Sequence, residues 1–165
     1  MASERSFAKL VATIGVMAAL TTVATIIIQI PTPATQGYIN LGDTMVMLSG
    51  TLFGTLVGSL AGGIGSALAD LITGYGHWAP FTLVIKGIEG YIAGLAKGRG
   101  KLSTLIILII AGAEMVTGYF LVEMWMYGLG GALAEVLGNS FQAASGIVFA
   151  YILTPVVRRA LGNET

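Results

Sequence analysis

The sequence predicts an all-α integral membrane protein: a single domain, residues 1–165, built as a six-transmembrane-helix bundle with both termini cytoplasmic. Three observations carry this reading. The chain is 55% hydrophobic and only 10% charged, where an ordinary soluble domain carries about 25% charged residues. Its mean hydropathy is +0.86. The lysines and arginines are also grouped. Apart from Lys86 they fall at the N-terminus (Arg5, Lys9), in the link Lys97–Lys101 ("KGRGK") and at the C-terminus (Arg158, Arg159). Basic residues gather on the cytoplasmic side of membrane proteins, so a topology that puts all three groups on one side is preferred.

The first span is predicted over about 8–30. Its apolar run, Leu10 to Ile30, is longer than the roughly 7–15 residues of a signal-peptide core and ends at Pro31 without a small-residue cleavage site, so it reads as a retained helix. The next apolar stretch, 44–73, is long for one span of about 20 residues and short for two. One helix there would put "KGRGK" across the membrane from the N-terminus. Two short helices, about 43–54 and 57–73 with a tight turn near 53–58, put every basic group on one side. Gly50, Gly54, Gly58 and Gly62 form a ladder of GxxxG steps through that turn, a pattern that suits close helix packing in lipid. Further spans are predicted at about 80–96, 102–123 and 132–158, with outer connections at 31–43, 74–79 and 124–131.

Polar residues cluster toward the outer ends of these spans. Thr82, Lys86 and Glu89 share one helical face, with Lys86 roughly 9 Å and Glu89 roughly 13 Å below the outer end. Glu135, Asn139 and Gln142 repeat that spacing. Glu114 falls near mid-depth, Tyr119 and Glu123 closer to the outside, and Asp70 near the outer end of the third helix. The outer connections hold Asn40, Asp43, Tyr75, His77, Trp78, Trp125 and Tyr127. Ionisable groups are costly in a bilayer, so they either pair or mark a site. Pairing of Lys86 with Asp70 or Glu89 would balance charge, and some aromatics would serve as interfacial anchors. Neither reading accounts for the one-sided depth or for the amide pair. Aromatics, amides and a few charges converging from several helices suit a polar, planar small molecule in a pocket open to the outside.

Several chemistries are excluded. Zero net charge gives no electrostatic case for nucleic acid. With no cysteine and a single histidine there is no thiolate nucleophile, and neither a Cys nor a His-rich metal centre. No glycine-rich lysine loop binds nucleotide phosphates, and His77 beside Trp78 makes no Ser–His–Asp arrangement. The chain reads as a non-enzyme, with no cofactor and no metal. Glu89, Glu114 and Glu123 keep a proton-coupled secondary transporter acting alone as the alternative, and a purely structural subunit as a third reading.

The segments "IPTPATQGYINLGDTMVMLSGTLFG" (30–54), "GGIGSALADLITGY" (62–75), "APFTLVIKGIEGYIAGL" (79–95), "GYFLVEMWMYG" (118–128) and "EVLGNSFQAASGIV" (135–148) resemble the substrate-binding S components of energy-coupling factor (ECF) vitamin transporters. The likeness is strongest to the hydroxymethylpyrimidine, pyridoxine and riboflavin branch. It implies a prokaryotic plasma-membrane subunit that captures a vitamin from outside. Its implied partners are the membrane lipid, a transmembrane coupling protein and two ATPase subunits, within which it topples to release ligand inward. A small-residue face on the first helix, Ala8, Ala12, Gly15 and Ala19, would dock the coupling protein. The first outer loop, with Tyr38, Asn40 and Asp43, would be a lid. His77 and Trp78 would flank the entrance, with Trp78 stacking on the ligand. Lys86 would be the polar anchor, Glu114, Tyr119, Asn139 and Gln142 would complete the hydrogen bonding, and Asp70 and Glu89 would support Lys86. The implied ligand is of the pyridoxine or hydroxymethylpyrimidine class, with riboflavin as the larger option.

Overall fold

The computed structural model describes residues 2–162, with side chains from Ser6 onward; the Arg5 side chain lies outside them. Helix α1 (Ala2–Ile27) leads into a hairpin of β1 (Gln29–Thr32) and β2 (Gly37–Asn40), followed by α2 (Asp43–Phe53), α3 (Thr55–Thr73), α4 (Ala79–Gly94) and α5 (Lys101–Ala160).

The hairpin is the element that the sequence reading missed. Helix α1 stops at Ile27, three residues before its predicted end, because the chain turns there into an antiparallel pair running from Gln29 opposite Asn40 to Thr32 opposite Gly37. Proline cannot donate to a ladder and is tolerated in strands at edges. Both strands of a two-stranded sheet are edges, so Pro31 is accommodated opposite Tyr38.

The glycine ladder works as a folding device. Gly54 has φ 99° and ψ −177°, a conformation that is essentially restricted to glycine. It separates α2 from α3 with a single residue, so α3 starts at Thr55 instead of near 57. The two helices then fold back on each other. A Cβ placed on Gly58 would lie 2.7 Å from the Gly50 Cα and 2.3 Å from the Gly90 carbonyl oxygen, and one on Gly50 would lie 2.6 Å from the Gly94 nitrogen. Helices α2, α3 and α4 therefore touch backbone to backbone, the close approach that small residues permit in lipid.

The connection predicted at 124–131 is corrected. Helix α5 runs through it, interrupted only at Gly128 (φ 76°, ψ 176°), the same glycine-restricted conformation. The arms on either side, 101–127 and 129–160, pack together, with the place of a Gly112 Cβ 3.2 Å from Ala143 and 3.1 Å from Ile147. One glycine does what a loop was expected to do.

Large apolar side chains such as Leu71, Ile72, Leu133, Phe141 and Ile152 are exposed, while Thr21, Asp43, Ser49, Thr51 and Glu89 are buried. This apolar exterior around a polar interior is the arrangement that lipid favours. Three helices are long and apolar enough to cross a bilayer: Ser6–Ile27, Thr55–Thr73 and the run Lys101–Ala160. Helix α2, with 11 residues, and α4, with 16, fall short of the about 20 residues an independent span needs.

Candidate functional site

The β-hairpin is tied down at four points, one of them Gln29 Nε2 donating to Thr73 Oγ1 on α3 at 3.3 Å. Tyr38 donates to Asp70 Oδ1 on α3 at 2.5 Å, Thr35 donates to Glu135 Oε1 on α5 at 3.1 Å, and the Asn40 backbone N–H donates to Gln142 Oε1 at 2.8 Å. Burial first, then the neighbouring Asp70 charge, pushes the Tyr38 phenol above its ordinary range, which keeps it a donor.

Beneath the hairpin lies a polar cavity of about 470 Å³ with its opening included. Helix α1 contributes Thr25. The hairpin contributes Thr32, Thr35, Gly37, Tyr38 and Asn40. Ser66 and Asp70 come from α3, and Trp78 from the turn before α4, which itself adds Thr82 and Lys86. The first arm of α5 brings Tyr119 and Glu123, and the second Glu135, Asn139 and Gln142. Trp78 is 4% exposed, with its ring centroid 5.9 Å from that of Tyr119 in an edge-on arrangement and 6.0 Å from that of Tyr127.

Under the cavity is a buried ionic group. Lys86 Nζ donates to Asp43 Oδ1 and, at 2.9 Å, to Glu89 Oε2; Gln142 Nε2 also donates to Asp43 Oδ1 at 2.9 Å. Asp43 and Glu89 are fully buried and stand behind the lining. The Lys86 ammonium lies 5.7 Å from the Tyr119 ring centroid. Higher up, Tyr119 donates to Thr82 Oγ1 at 3.1 Å and Asn139 Nδ2 to Glu123 Oε1 at 3.1 Å.

The family model for the ECF-type riboflavin transporter S component matches residues 6–159. The chain belongs to that family. Among curated proteins, an uncharacterized protein of Pyrococcus woesei is 48% identical over 143 residues, 86% of this chain and 96% of its own length. The thiamine precursor transporter HmpT of Lactococcus lactis subsp. cremoris (strain MG1363) is 34% identical over 147 residues, 88% of this chain and 86% of its own length. The S component is thus a transport protein and not an enzyme, and a multi-pass protein of the prokaryotic plasma membrane.

The S component brings Asn40, Trp78, Lys86, Tyr119, Asn139 and Gln142 together on the cavity, and Asp70 with them. Asp70 does not brace Lys86 as the sequence suggested. It holds Tyr38, while Asp43, the first residue of α2, meets Lys86 instead. Asp43, expected on the ligand, is committed to Lys86 and Gln142. His77 is exposed and off the lining: the chain turns from Gly74 (φ 90°) through a Trp78 N–H to Tyr75 carbonyl bond of 2.8 Å, which carries Trp78 inward and leaves its neighbour outside. Glu114 is half-buried and also off the lining. It lies five residues before Tyr119, well off that face of a 3.6-residue helix, where Met115 takes the in-line position.

Thr82, Glu123 and Glu135, which helical spacing puts in the outer polar cluster without assigning them to the ligand, also line the cavity. Sequence reasoning left out Thr25, Thr32, Thr35, Gly37 and Ser66. Spacing could have found Ser66, which precedes Asp70 by four. Thr25 and the hairpin residues carry no such signal. On α1, Ala8, Ala12, Gly15 and Ala19 are all exposed, and a Cβ on Gly15 would meet nothing within 4 Å.

Proposed function

We propose that this S component captures a small heteroaromatic vitamin precursor, of the hydroxymethylpyrimidine or pyridoxine class, from outside the cell and delivers it to an ATP-driven ECF importer. The observation that carries the reading is the hairpin-covered polar cavity walled by Trp78 and Tyr119 and lined by Asn40, Asn139 and Gln142. The similarity to a thiamine precursor transporter favours one ring over the three of riboflavin. Lys86, positioned by Asp43 and Glu89, would present its remaining N–H to the ligand. Release of the hairpin's four ties would open the pocket outward.

Six crossings with cytoplasmic termini are the topology that fits this role. The breaks at Gly54 and Gly128 divide the helical chain into six arms, and the three basic groups then share one side. The exposed small residues of α1 would seat the transmembrane coupling protein, whose two ATPase subunits supply the energy. The test is mass spectrometry of small molecules released from the washed, detergent-purified chain, followed by thermal-shift titration with a B-vitamin panel. A stoichiometric single-ring precursor is the expected result. A chain that releases nothing and is stabilised by no member of the panel rejects the reading. Uptake by liposomes holding this chain alone would favour a proton-coupled transporter instead.

A further inference from the structure

Four buried polar atoms on side chains that line the cavity have no hydrogen-bond partner among the described residues: Ser66 Oγ, Asp70 Oδ2, Trp78 Nε1 and Glu123 Oε2. Asp70 is 3% exposed, and Trp78 and Glu123 are 4% exposed. Buried polar atoms are ordinarily paired, so a set of orphans around one cavity describes the ligand that would complete them. Two of the four, the carboxylate oxygens, accept. One, the indole N–H, donates. The hydroxyl does either.

The charge count agrees. Asp70, Glu123 and Glu135 line the cavity, while its one cation, Lys86, is already held by Asp43 and Glu89. The lining is therefore rich in acceptors and short of positive charge. A phosphate or carboxylate on the ligand would meet like charge, whereas an amino group would meet two free acceptors.

We propose that the cavity selects a neutral or cationic amino-substituted heteroaromatic ring, whose amino N–H groups bond to Asp70 and Glu123 and whose acceptor atom takes the Trp78 N–H, and that it rejects phosphate esters of the same ring. The inference rests on the capture reading above and adds the feature that decides specificity. Asp70 and Glu123 become ligand-reading residues, one at the outer end of α3 and the other on the first arm of α5.

Calorimetric titration of the full chain in detergent tests this with four compounds: 4-amino-5-hydroxymethyl-2-methylpyrimidine, its 4-oxo counterpart, its phosphate ester, and riboflavin. The amino compound is expected to bind at least about tenfold tighter than the oxo compound and about a hundredfold tighter than the ester, as loss of a charge-assisted hydrogen bond or a buried like-charge contact would require. In Glu123→Gln the new amide can donate to an oxo group while still accepting from Asn139, so the amino preference should fall to about threefold or less. Equal or tighter binding of the oxo compound or the ester overturns the inference, as does an unchanged preference in a folded Glu123→Gln protein. Binding of riboflavin alone overturns it together with the single-ring preference, while leaving vitamin capture itself intact. Binding of none of the four overturns the inference, and failure of the whole B-vitamin panel besides overturns the capture reading as well.

Discussion

Lys86 sits between Asp43 and Glu89, with Gln142 closing the group from the second arm of α5. Two carboxylates out of water with one ammonium between them are tolerable only while the ammonium stays, because removing one partner of a buried ionic group commonly costs about 3–5 kcal/mol. Lys86→Met should therefore lower the thermal midpoint sharply, and adding Asp43→Asn and Glu89→Gln should recover much of it; a Lys86→Met midpoint equal to that of the native chain would show that the carboxylates do not depend on it. Trp78 is the complementary case, since its removal empties a wall of the cavity and leaves the ionic group alone. Trp78→Ala should weaken ligand binding by about tenfold or more, read by calorimetric titration, with the Lys86 group intact. The sequence placed Trp78, Tyr119, Asn139 and Gln142 because aromatic and amide side chains at helical spacing are conspicuous in an apolar chain. His77 and Glu114 lie off the lining and Asp43 stands behind it; for His77 the reason is that neighbouring residues in a turn can face opposite ways, which only the backbone path decides.

At the scale of elements, two glycines in a conformation closed to other residues make the breaks, and several more allow the contacts. A Cβ on Gly90 would stand 2.1 Å from the Gly58 carbonyl oxygen, so Gly90→Val should prevent α3 and α4 from meeting and abolish recovery of folded protein. Gly15→Ala, which meets nothing within 4 Å, should leave the midpoint unchanged or slightly higher, since alanine is the better helix former by about 1 kcal/mol. Comparable recovery of the two variants would separate the glycine pattern from packing. The hairpin is held largely through side chains. Tyr38→Phe removes the bond to Asp70 and should raise the ligand dissociation rate roughly tenfold, measured by stopped-flow fluorescence; an unchanged rate would mean that the hairpin does not hold the ligand in. Helix existence was legible from apolar periodicity. The hairpin was not, because its strands are four residues each, too short for alternation to register.

At the scale of the whole molecule, the proposed capture site and the proposed docking face occupy different surfaces. The cavity lies under the hairpin, among α3, α4 and the arms of α5, while Ala8, Ala12, Gly15 and Ala19 lie exposed on α1. Ala12→Trp should consequently leave ligand affinity within about twofold while impairing assembly with the coupling protein and uptake in cells. Loss of binding together with uptake would place the docking face elsewhere. By itself the sequence determined that this chain lives in lipid, that its helices pack through glycine and that its polar residues gather toward one end. Composition, periodicity and charge grouping are properties of the chain alone, and solvent quality acts on them directly. Only the tertiary structure decided which carboxylate meets Lys86, that a single glycine at 128 replaces a loop, and that a hairpin roofs the cavity. Those outcomes depend on the path of the backbone through turns, where a single φ value redirects every side chain that follows.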